Sequence, residues 1–573
     1  MIKNYNKLTF LVDQNYKKNN YLFIFFLLIS SFLEILSISI IFPSLTLILE
    51  TDKIKDFEFI KIYLPAIYGM SKINLLILFI FVFLILQLLK SLFLLFFSYW
   101  RNNLVTNYEK KIGSNLYEKY LSLTYPEYID SNSAAFSKNI IVETRKARQS
   151  YDSFMKLVNE IIIISAIILI LIFFEPLISS IVIFFFGFVA LSMLFLLKPK
   201  LVNLGAKQVK HAEKLFQNLN EGFGLFKEIK IRENFKFFIQ KFSFNYSEVL
   251  NTLRLNAFIS ESVRILLEFI TILFFCGVIY YLSFNLNEIK DLVPTLTLFG
   301  AAAYRFLPGL SRIISYNQIM QNNKYAIDTI LRDLNKPIKK NSSPKKIIKS
   351  QNFNKCIEFK NVYFKYKNSD YIIKNLSFRI NKFDFICLTG KSGEGKTTLI
   401  DLISGIIEPT KGKILVDGKT TNYQKNLKKN IGYIPQSVYL FDETIKNNIL
   451  LECPNNKNRL NNVIKLSQLK DLAKKRGLTY KVGEKGSKLS GGQVQRLGIA
   501  RSLYRSPSLL ICDEISSSLD SDNEKKIINS LKYLKNKLTL ICVTHNPDAF
   551  NFNFIKKFIL KKDKRGNTKL IKI

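Results

Sequence analysis

Long apolar stretches separated by basic, helix-patterned segments occupy the first 330 residues, and short strand-like runs follow. Apolar runs near 21–49, 73–100, 156–174, 177–197, 256–283 and 293–316 approach or exceed the ~20 residues that cross ~30 Å of hydrocarbon. They predict six membrane-spanning helices, the longer of which tilt or project beyond the bilayer. Residues 50–72 place Ile54, Phe57, Ile60, Leu64 and Ile67 at roughly helical spacing, which predicts a short helix on the outer surface, disturbed by Pro65. Lys3, Lys7, Lys17 and Lys18, together with the basic stretches 101–155 and 198–255, lie on one side of this pattern. The opposite side holds only 50–72, the turn Glu175-Pro176 and 284–292. Positive loops stay inside, so both termini and the long loops are expected in the cytoplasm.

A basic, polar stretch from Asn335 to Ser350 breaks the pattern and reads as a linker. The expected organisation is a helical membrane domain at 1–333, a linker at 334–352 and a second domain at 353–573. In that second domain the runs CIEFKNVYFKY, LSFRI, FICLTG, LLICDE and LTLICVTH are rich in β-branched and aromatic residues. Helical segments alternate with the later runs, predicting an α/β domain with a largely parallel sheet. The fold class is therefore multidomain: six transmembrane helices, then an α/β phosphate-loop domain.

Composition adjusts this picture in three ways. The 573 residues suit two to four domains, and 48% hydrophobic content with 49 Phe is high for a soluble protein. A formal charge of +39 raises the question of nucleic acid. The lysines are dispersed with no nucleic-acid module beneath them, so a Lys/Asn/Ile-rich composition and segments facing an anionic leaflet explain them better. The six cysteines, Cys276, Cys356, Cys387, Cys453, Cys512 and Cys542, form no CxxC pair and read as small core residues in a reducing compartment. The apolar run near the N-terminus is longer than a signal-peptide core and is followed by further spans, so no cleavable leader is expected.

Candidate chemistry lies in the second domain. In GKSGEGKTT, Gly390, Gly393 and Gly395 let backbone approach phosphate oxygens between a strand and a helix, while Lys391, Ser392, Glu394 and Thr398 complete the loop. Lys396 can reach the β- and γ-phosphates, and Thr397 can bind Mg²⁺. LLICDE is an apolar strand ending in two acids: Asp513 suits the Mg²⁺ shell and Glu514 is placed to polarise the attacking water. His545 ends another apolar strand and can sense the γ-phosphate, whereas His211 sits in a polar helix and reads as incidental. Ser490, Gly491, Gly492 and Gln493, from LSGGQ, open a helical run. A helix start with bare N–H groups is a second phosphate site. Two anion sites and one kind of nucleotide imply ATP held between two copies.

These residues resemble the nucleotide-binding domain of ABC transporters. GKSGEGKTT matches Walker A, IGYIPQ the Q-loop at Gln436, LSGGQ the family signature, LLICDE Walker B, SSLD the D-loop at Asp520, and VTH the switch histidine. The resemblance implies that Tyr366 stacks on adenine, that Gln436 joins Thr397 and Asp513 around Mg²⁺, and that Ser490 and Gly492 of one copy contact ATP held by the other. The N-terminal half resembles the six-span exporter module. That resemblance implies coupling helices at the tips of the long loops, near 127–137 and 219–228, and a homodimer in a bacterial inner membrane.

Ionisable residues inside spans mark functional sites by default. Lys90, Arg264 and Arg305 predict a belt of cations in a dimer, suited to an anionic headgroup; the competing reading is internal pairing with Glu34, Glu261 and Glu268. KEIKIRENF and RFLPGLSRI are similar to flippases of lipid-linked oligosaccharides, which makes such a lipid or a polyprenyl pyrophosphate the preferred cargo. Alternatives are a lipid A-type or general lipid flippase and a peptide or drug exporter. A soluble two-ATPase protein would lack spans, and a degenerate ATPase acting as a channel would lose Glu514, His545 or the signature.

Overall fold

The computed structural model describes residues 16–39, 72–174, 176–285, 306, 308–336, 354–367, 369–419, 430–514, 521–544, 547, 553–563 and 567–572. Two compact units emerge, one from residues 1–121 and 132–337, the other from 122–131 and 338–573.

Helices build the first unit: α1 (Tyr16–Ser39), α2 (Lys72–Leu121), and, beyond the tip segment that holds α3 (Tyr125–Ile129), α4 (Ser133–Lys138), α5 (Thr144–Phe174), α6 (Pro176–Gly224), α7 (Phe226–Arg232), α8 (Phe235–Asn285) and α9 (Lys324–Asn335). Residues 308–322 are also helical. At 1.5 Å per residue, the 50-residue α2 and 51-residue α8 reach about 75 Å, over twice the hydrocarbon thickness. Their apolar halves suit a bilayer and their polar halves must project from it. Among the described residues, Ile80–Leu121 and Ile183–Gly224 are long and apolar enough to span, and Tyr21–Glu34 is a shorter apolar helix. All but the last residue of the expected outer helix at 50–72, and most of the sixth span, lie outside the described residues. Phe184 and Phe195 are each 80% exposed, an arrangement that costs free energy in water and none in lipid.

The two expected loop tips differ in detail from their sequence positions. The first is two helices, α3 and α4, split by a turn at Asp130–Asn132; Thr124 caps α3 through Glu127, and Asn132 caps α4. Pro126 lies within the first turn of α3, where its missing N–H costs nothing. The second tip is α7, a few residues beyond 219–228.

Polar groups are concentrated at the base of this helical unit. A π-helical turn at Asn139–Glu143 follows α4. It buries Lys138 and Glu143, with side chains 2% and 0% exposed and 3.4 Å apart. Lys138 also faces Glu213 at 3.7 Å, and Glu143 faces Lys146 at 3.8 Å. Nearby, the Tyr120 hydroxyl donates to Asp333 Oδ2 at 2.7 Å, and Asn139 Nδ2 donates to both. Asp333 also pairs with Lys336 at 3.0 Å, and Lys119 donates to the Lys336 carbonyl. Residues on either side of the first tip are thus tied to the last turn of α9.

The second unit holds an antiparallel sheet, β2-β1-β4, made from β1 (Cys356–Phe364), β2 (Ile373–Asn381) and β4 (Lys411–Val416). A six-stranded sheet has the order β5-β6-β7-β3-β8-β9, from β3 (Phe385–Thr389), β5 (Ile431–Ile434), β6 (Leu509–Asp513), β7 (Thr539–Val543), β8 (Ile555–Lys562) and β9 (Thr568–Lys572). All its pairings are parallel except β8 with β9. FICLT and TLICV are buried at every position, as expected for strands covered on both faces. One face, with Phe385, Cys387, Cys512 and Cys542, packs on the helices α12 (Lys457–Leu466), α14 (Gly491–Tyr504) and α15 (Ser521–Lys532). The other, with Ile386, Leu388, Ile511 and Ile541, packs on α10 (Lys396–Ser404) and the antiparallel sheet. Helices α11 (Ile445–Leu450) and α13 (Lys470–Arg476) complete the unit.

Glu143→Ala should destabilise the protein by up to about 3–5 kcal/mol, because buried Lys138 keeps only the exposed Glu213 and Lys146 loses its carboxylate. Lys138→Met with Glu143→Leu should recover most of that loss. Thermal denaturation of the detergent-purified protein checks both; a double variant as unstable as the single one would contradict the charge argument.

Candidate nucleotide site

The phosphate loop joins β3 to α10. Gly393 and Gly395 have φ of +83° and +95°, a region open to glycine and strained for other residues. A Cβ on Gly395 would lie 3.0 Å from Ile372, whereas Gly393 faces open space on its Cβ side. The carboxylate of Glu394 folds back to accept from Lys391 N at 2.7 Å. Lys396, buried at the start of α10, donates to the carbonyls of Gly390 at 2.6 Å and Lys391 at 3.1 Å. Its charge is therefore held at the mouth of the loop. Ser392 and Thr397 are exposed there and Thr398 is buried.

The acids arrive on β6. Glu514 follows with φ of +52°, and its N–H donates to Val543 O at 3.0 Å. That bent backbone turns the Glu514 side chain away from the strand row. Gln436, beyond β5, donates from Nε2 to Glu514 Oε2 at 2.5 Å. Tyr433, on β5, donates to Asp513 Oδ2 at 3.5 Å. Thr544 N donates to Leu388 O at 3.1 Å, bringing the chain that leads to His545 beside the phosphate loop. His545 and Asp520 themselves lie outside the described residues.

Burial raises the pKa of Asp513, reinforced by the neighbouring Glu514 charge and opposed by Tyr433 and Lys396. Asp401, on α10, is pushed up to about 6 by burial and by Asp513. Tyr433 is raised by burial, then by Asp513 and Asp401. Carboxylates crowded in a dry site favour a cation. Thr397 and Asp513 offer the hard oxygen donors that Mg²⁺ takes, so the donor chemistry fits that ion. Tyr366 is half-buried, edge-on to Phe364 at 5.0 Å and hydrogen bonded to the Thr398 side chain.

Ser490, Gly491, Gly492 and Gln493 lie at the N-terminus of α14. Ser490 and Gln493 cap one another: Gln493 N donates to Ser490 Oγ at 3.4 Å, and Ser490 N to Gln493 Oε1 at 3.1 Å. Ser490 and Gly491 are exposed, so this helix end faces outward.

In the helical unit, Lys90 pairs with Glu34 at 2.9 Å and Arg264 with Glu268 at 2.9 Å. The structure thus gives both cations the internal partners of the competing reading, and neither adds an uncompensated charge to a belt. Arg305 lies outside the described residues. Pattern reading missed a neighbouring set: Arg101 with Asp152 at 3.3 Å, Lys156 with Asp152 at 2.7 Å, and Arg312 with Glu160 at 2.9 Å. The spacing of Asp152, Lys156 and Glu160 at i, i+4 and i+8 was the available signal.

The pH dependence of Asp401 has a definite sign. Its folded-state pKa lies above the ordinary 3.8, so ionisation opposes folding above about pH 6 and the penalty fades as pH falls towards 4. Without nucleotide, Asp401→Asn should gain about 3 kcal/mol at neutral pH and nothing near pH 4. Melting curves across that range check it; a gain independent of pH would contradict the shift.

Comparison with known proteins follows this geometry. Residues 373–517 match the family model described as ABC transporter. The putative export ATP-binding/permease protein of Rickettsia prowazekii is 37% identical over 219 residues, 37% of each chain. The multidrug resistance-like ATP-binding protein MdlB of Buchnera aphidicola is 26% identical over 498 residues, 85% of this chain and 84% of that protein. The ATP-dependent lipid A-core flippase of Haemophilus ducreyi is 30% identical over 289 residues, 49% of each. The matches to the Rickettsia relatives span about a third of their length. A bacterial Atm1-family ABC exporter solved with ATP bound superposes with a TM-score of 0.80 at 17% identity, over 97% of this chain and 95% of that one. The C-terminal domain is an ABC transporter ATPase domain, and the chain as a whole shares the fold of that solved exporter.

Proposed function

We propose that two copies of this chain form an ATP-driven exporter or flippase of a bacterial inner membrane, with both termini and the ATPase domains cytoplasmic. One observation carries the reading: a phosphate loop and a separate outward-facing helix end, LSGGQ, lie on one ATPase domain joined to exporter-fold helices. In this reading residues 1–333 form the six-span membrane domain, 334–352 the linker and 353–573 the ATPase domain. ATP sits between the loop of one copy and Ser490, Gly491, Gly492 and Gln493 of the other, with Asp520 across the seam.

Lys396 holds the β- and γ-phosphates while backbone N–H groups of Gly390–Thr398 cradle them. Tyr366 stacks on the base. Thr397, Gln436 and Asp513 hold Mg²⁺, which when bound neutralises phosphate charge. Glu514 accepts the proton of the attacking water. Gln436 occupies one oxygen of that carboxylate here and exchanges it for Mg²⁺ as the site fills. His545 contacts the γ-phosphate. Closure acts on the loop tips: 122–131 groups with the ATPase unit, and α7 is flanked by Phe223 and carries Ile231, 75% and 82% exposed.

The proposed cargo is an amphipathic lipid with an anionic headgroup, a lipid-linked oligosaccharide or polyprenyl pyrophosphate, met by Lys90, Arg264 and Arg305. Similarity to a lipid A-core flippase supports a lipid. Arg264 and Glu268 are both largely exposed, so a headgroup phosphate can reach the guanidinium and compete with the carboxylate for its planar donor fork. A general lipid flippase or a drug exporter is the alternative.

Glu514→Gln should retain ATP binding, accumulate a closed dimer and lose about 100-fold or more in turnover, whereas Lys396→Ala should lose turnover and transport. Steady-state hydrolysis with size-exclusion chromatography in ATP checks this; normal turnover in either variant contradicts the assigned roles. For the cargo, replacing Lys90, Arg264 and Arg305 together should abolish flipping of a pyrophosphate lipid in proteoliposomes, and undiminished flipping would rule out the cation site.

A further inference from the structure

Arg501, near the C-terminal end of α14, is a half-buried cation whose partners are all neutral. Its Nε donates to Asn448 O at 2.9 Å, Nη2 to Asn448 Oδ1 at 2.9 Å and Nη1 to Tyr439 O at 2.8 Å. Its guanidinium carbon lies 5.8 Å from the centre of the Phe441 ring. A charged group spends its whole donor fork here on backbone and amide oxygens, which only a planar guanidinium can match.

Asn448 is the hub. It is fully buried within α11. Its Oδ1 also accepts from Phe441 N at 3.0 Å, and its Nδ2 donates to the carbonyls of Phe441 at 3.0 Å and Thr444 at 3.2 Å. The segment so held, 437–444, follows directly on Gln436, whose amide bonds Glu514. One end of this segment therefore lies at the hydrolytic pair, and the other is fastened to the helix that begins at Ser490. Val438 adds steric contact: a Cβ on Gly498 of α14 would come within 2.6 Å of it.

We propose that Arg501 is a positioning residue that locks segment 437–444 to α14, so that the exchange of Gln436 away from Glu514 moves the Ser490 end of the same domain. The inference rests on the reading that ATP closes between one copy's phosphate loop and the other's LSGGQ. Each domain thereby reports the state of its own hydrolytic pair to the ATP held by its partner. Arg501 touches neither nucleotide nor water in this scheme and acts through α14.

The test uses the full-length protein in detergent or proteoliposomes. Arg501→Lys keeps the charge and replaces a planar fork with a single nitrogen. Affinity for a fluorescent ATP analogue in the monomeric state, set by the phosphate loop, should stay within about twofold. The kcat should fall about tenfold or more, because α14 no longer follows the segment, and ATP-dependent closure in the Glu514→Gln background should weaken. Asn448→Ala, which leaves Arg501 in place, should give the same split between kcat and binding, and the double variant should lose little more than either single one. Parental kcat in a folded Arg501→Lys or Asn448→Ala protein overturns the positioning role, as do losses that multiply in the double variant. The closing step in the Glu514→Gln parent is read separately, so failure of the dimer reading is distinguishable from failure of this link.

Discussion

The in-register parallel pairing of β3, β7 and β6 is the constraint on which the rest of the ATPase unit depends. Leu388 pairs with Val543, and Val543 with Asp513. Strand β3 thus ends beside β6 and β7, more than a hundred residues later in the chain, where the phosphate loop, the approach to His545 and the acids emerge. A slip of one residue would exchange the two faces, moving Cys512 to the α10 side and Asp513 to the side of α12 and α14. The row Cys387–Cys542–Cys512 lies in the same register, on the face opposite α10. Burial pushes the Cys387 thiol up to about 12, and the Cys512 side chain, then burial, raises Cys542 well above the ordinary thiol range. The Cys387 and Cys542 thiols therefore stay protonated, and all three cysteine side chains serve as narrow packing groups under the helical layer.

What was legible in the sequence was local or periodic. FICLTG-KSGEGKTT announces strand, loop and helix because all three lie within twenty residues and each needs a distinct residue type. The α/β character of residues 353–573 followed from apolar runs of strand length. Contacts between remote segments were not legible. The bond from Gln436 to Glu514 depends on β5 lying beside β6, which no periodicity reveals. Lys90 and Glu34 sit on different helices, and equal depth did not decide whether they pair. The π-turn after Lys138 left no pattern, because one extra residue in a helical turn only shifts phase. Arg501 did leave a signal that was passed over: a cation in the apolar run LGIARSLY.

In the helical unit apolar side chains face outward as well as inward. Phenylalanines and leucines cover the outward faces of α2, α6 and α8, while Lys138, Glu143, Asn139 and Asp333 are buried. Lipid outside removes the hydrophobic preference for a greasy interior, so polar contacts gain weight in fixing which helices meet. Tyr120, Asn139 and Asp333 do this at the polar end of α2. The same groups flank the first loop tip and the start of the linker.

The grouping of residues 122–131 with the C-terminal unit has a consequence for biogenesis. This tip leaves the ribosome before the chain from Ser131 to Ile338, and all of the ATPase domain after it, has been made. At ~5–20 residues per second, the gap before the second unit even begins is roughly 10–40 s. During that interval α3 carries exposed Tyr125, Tyr128 and Ile129 with no partner domain yet synthesised. Its capping box through Thr124 and Glu127 is a local contact that needs no other part of the chain. The tip can hold its shape while it waits, and the last domain made completes a unit whose first piece was made early.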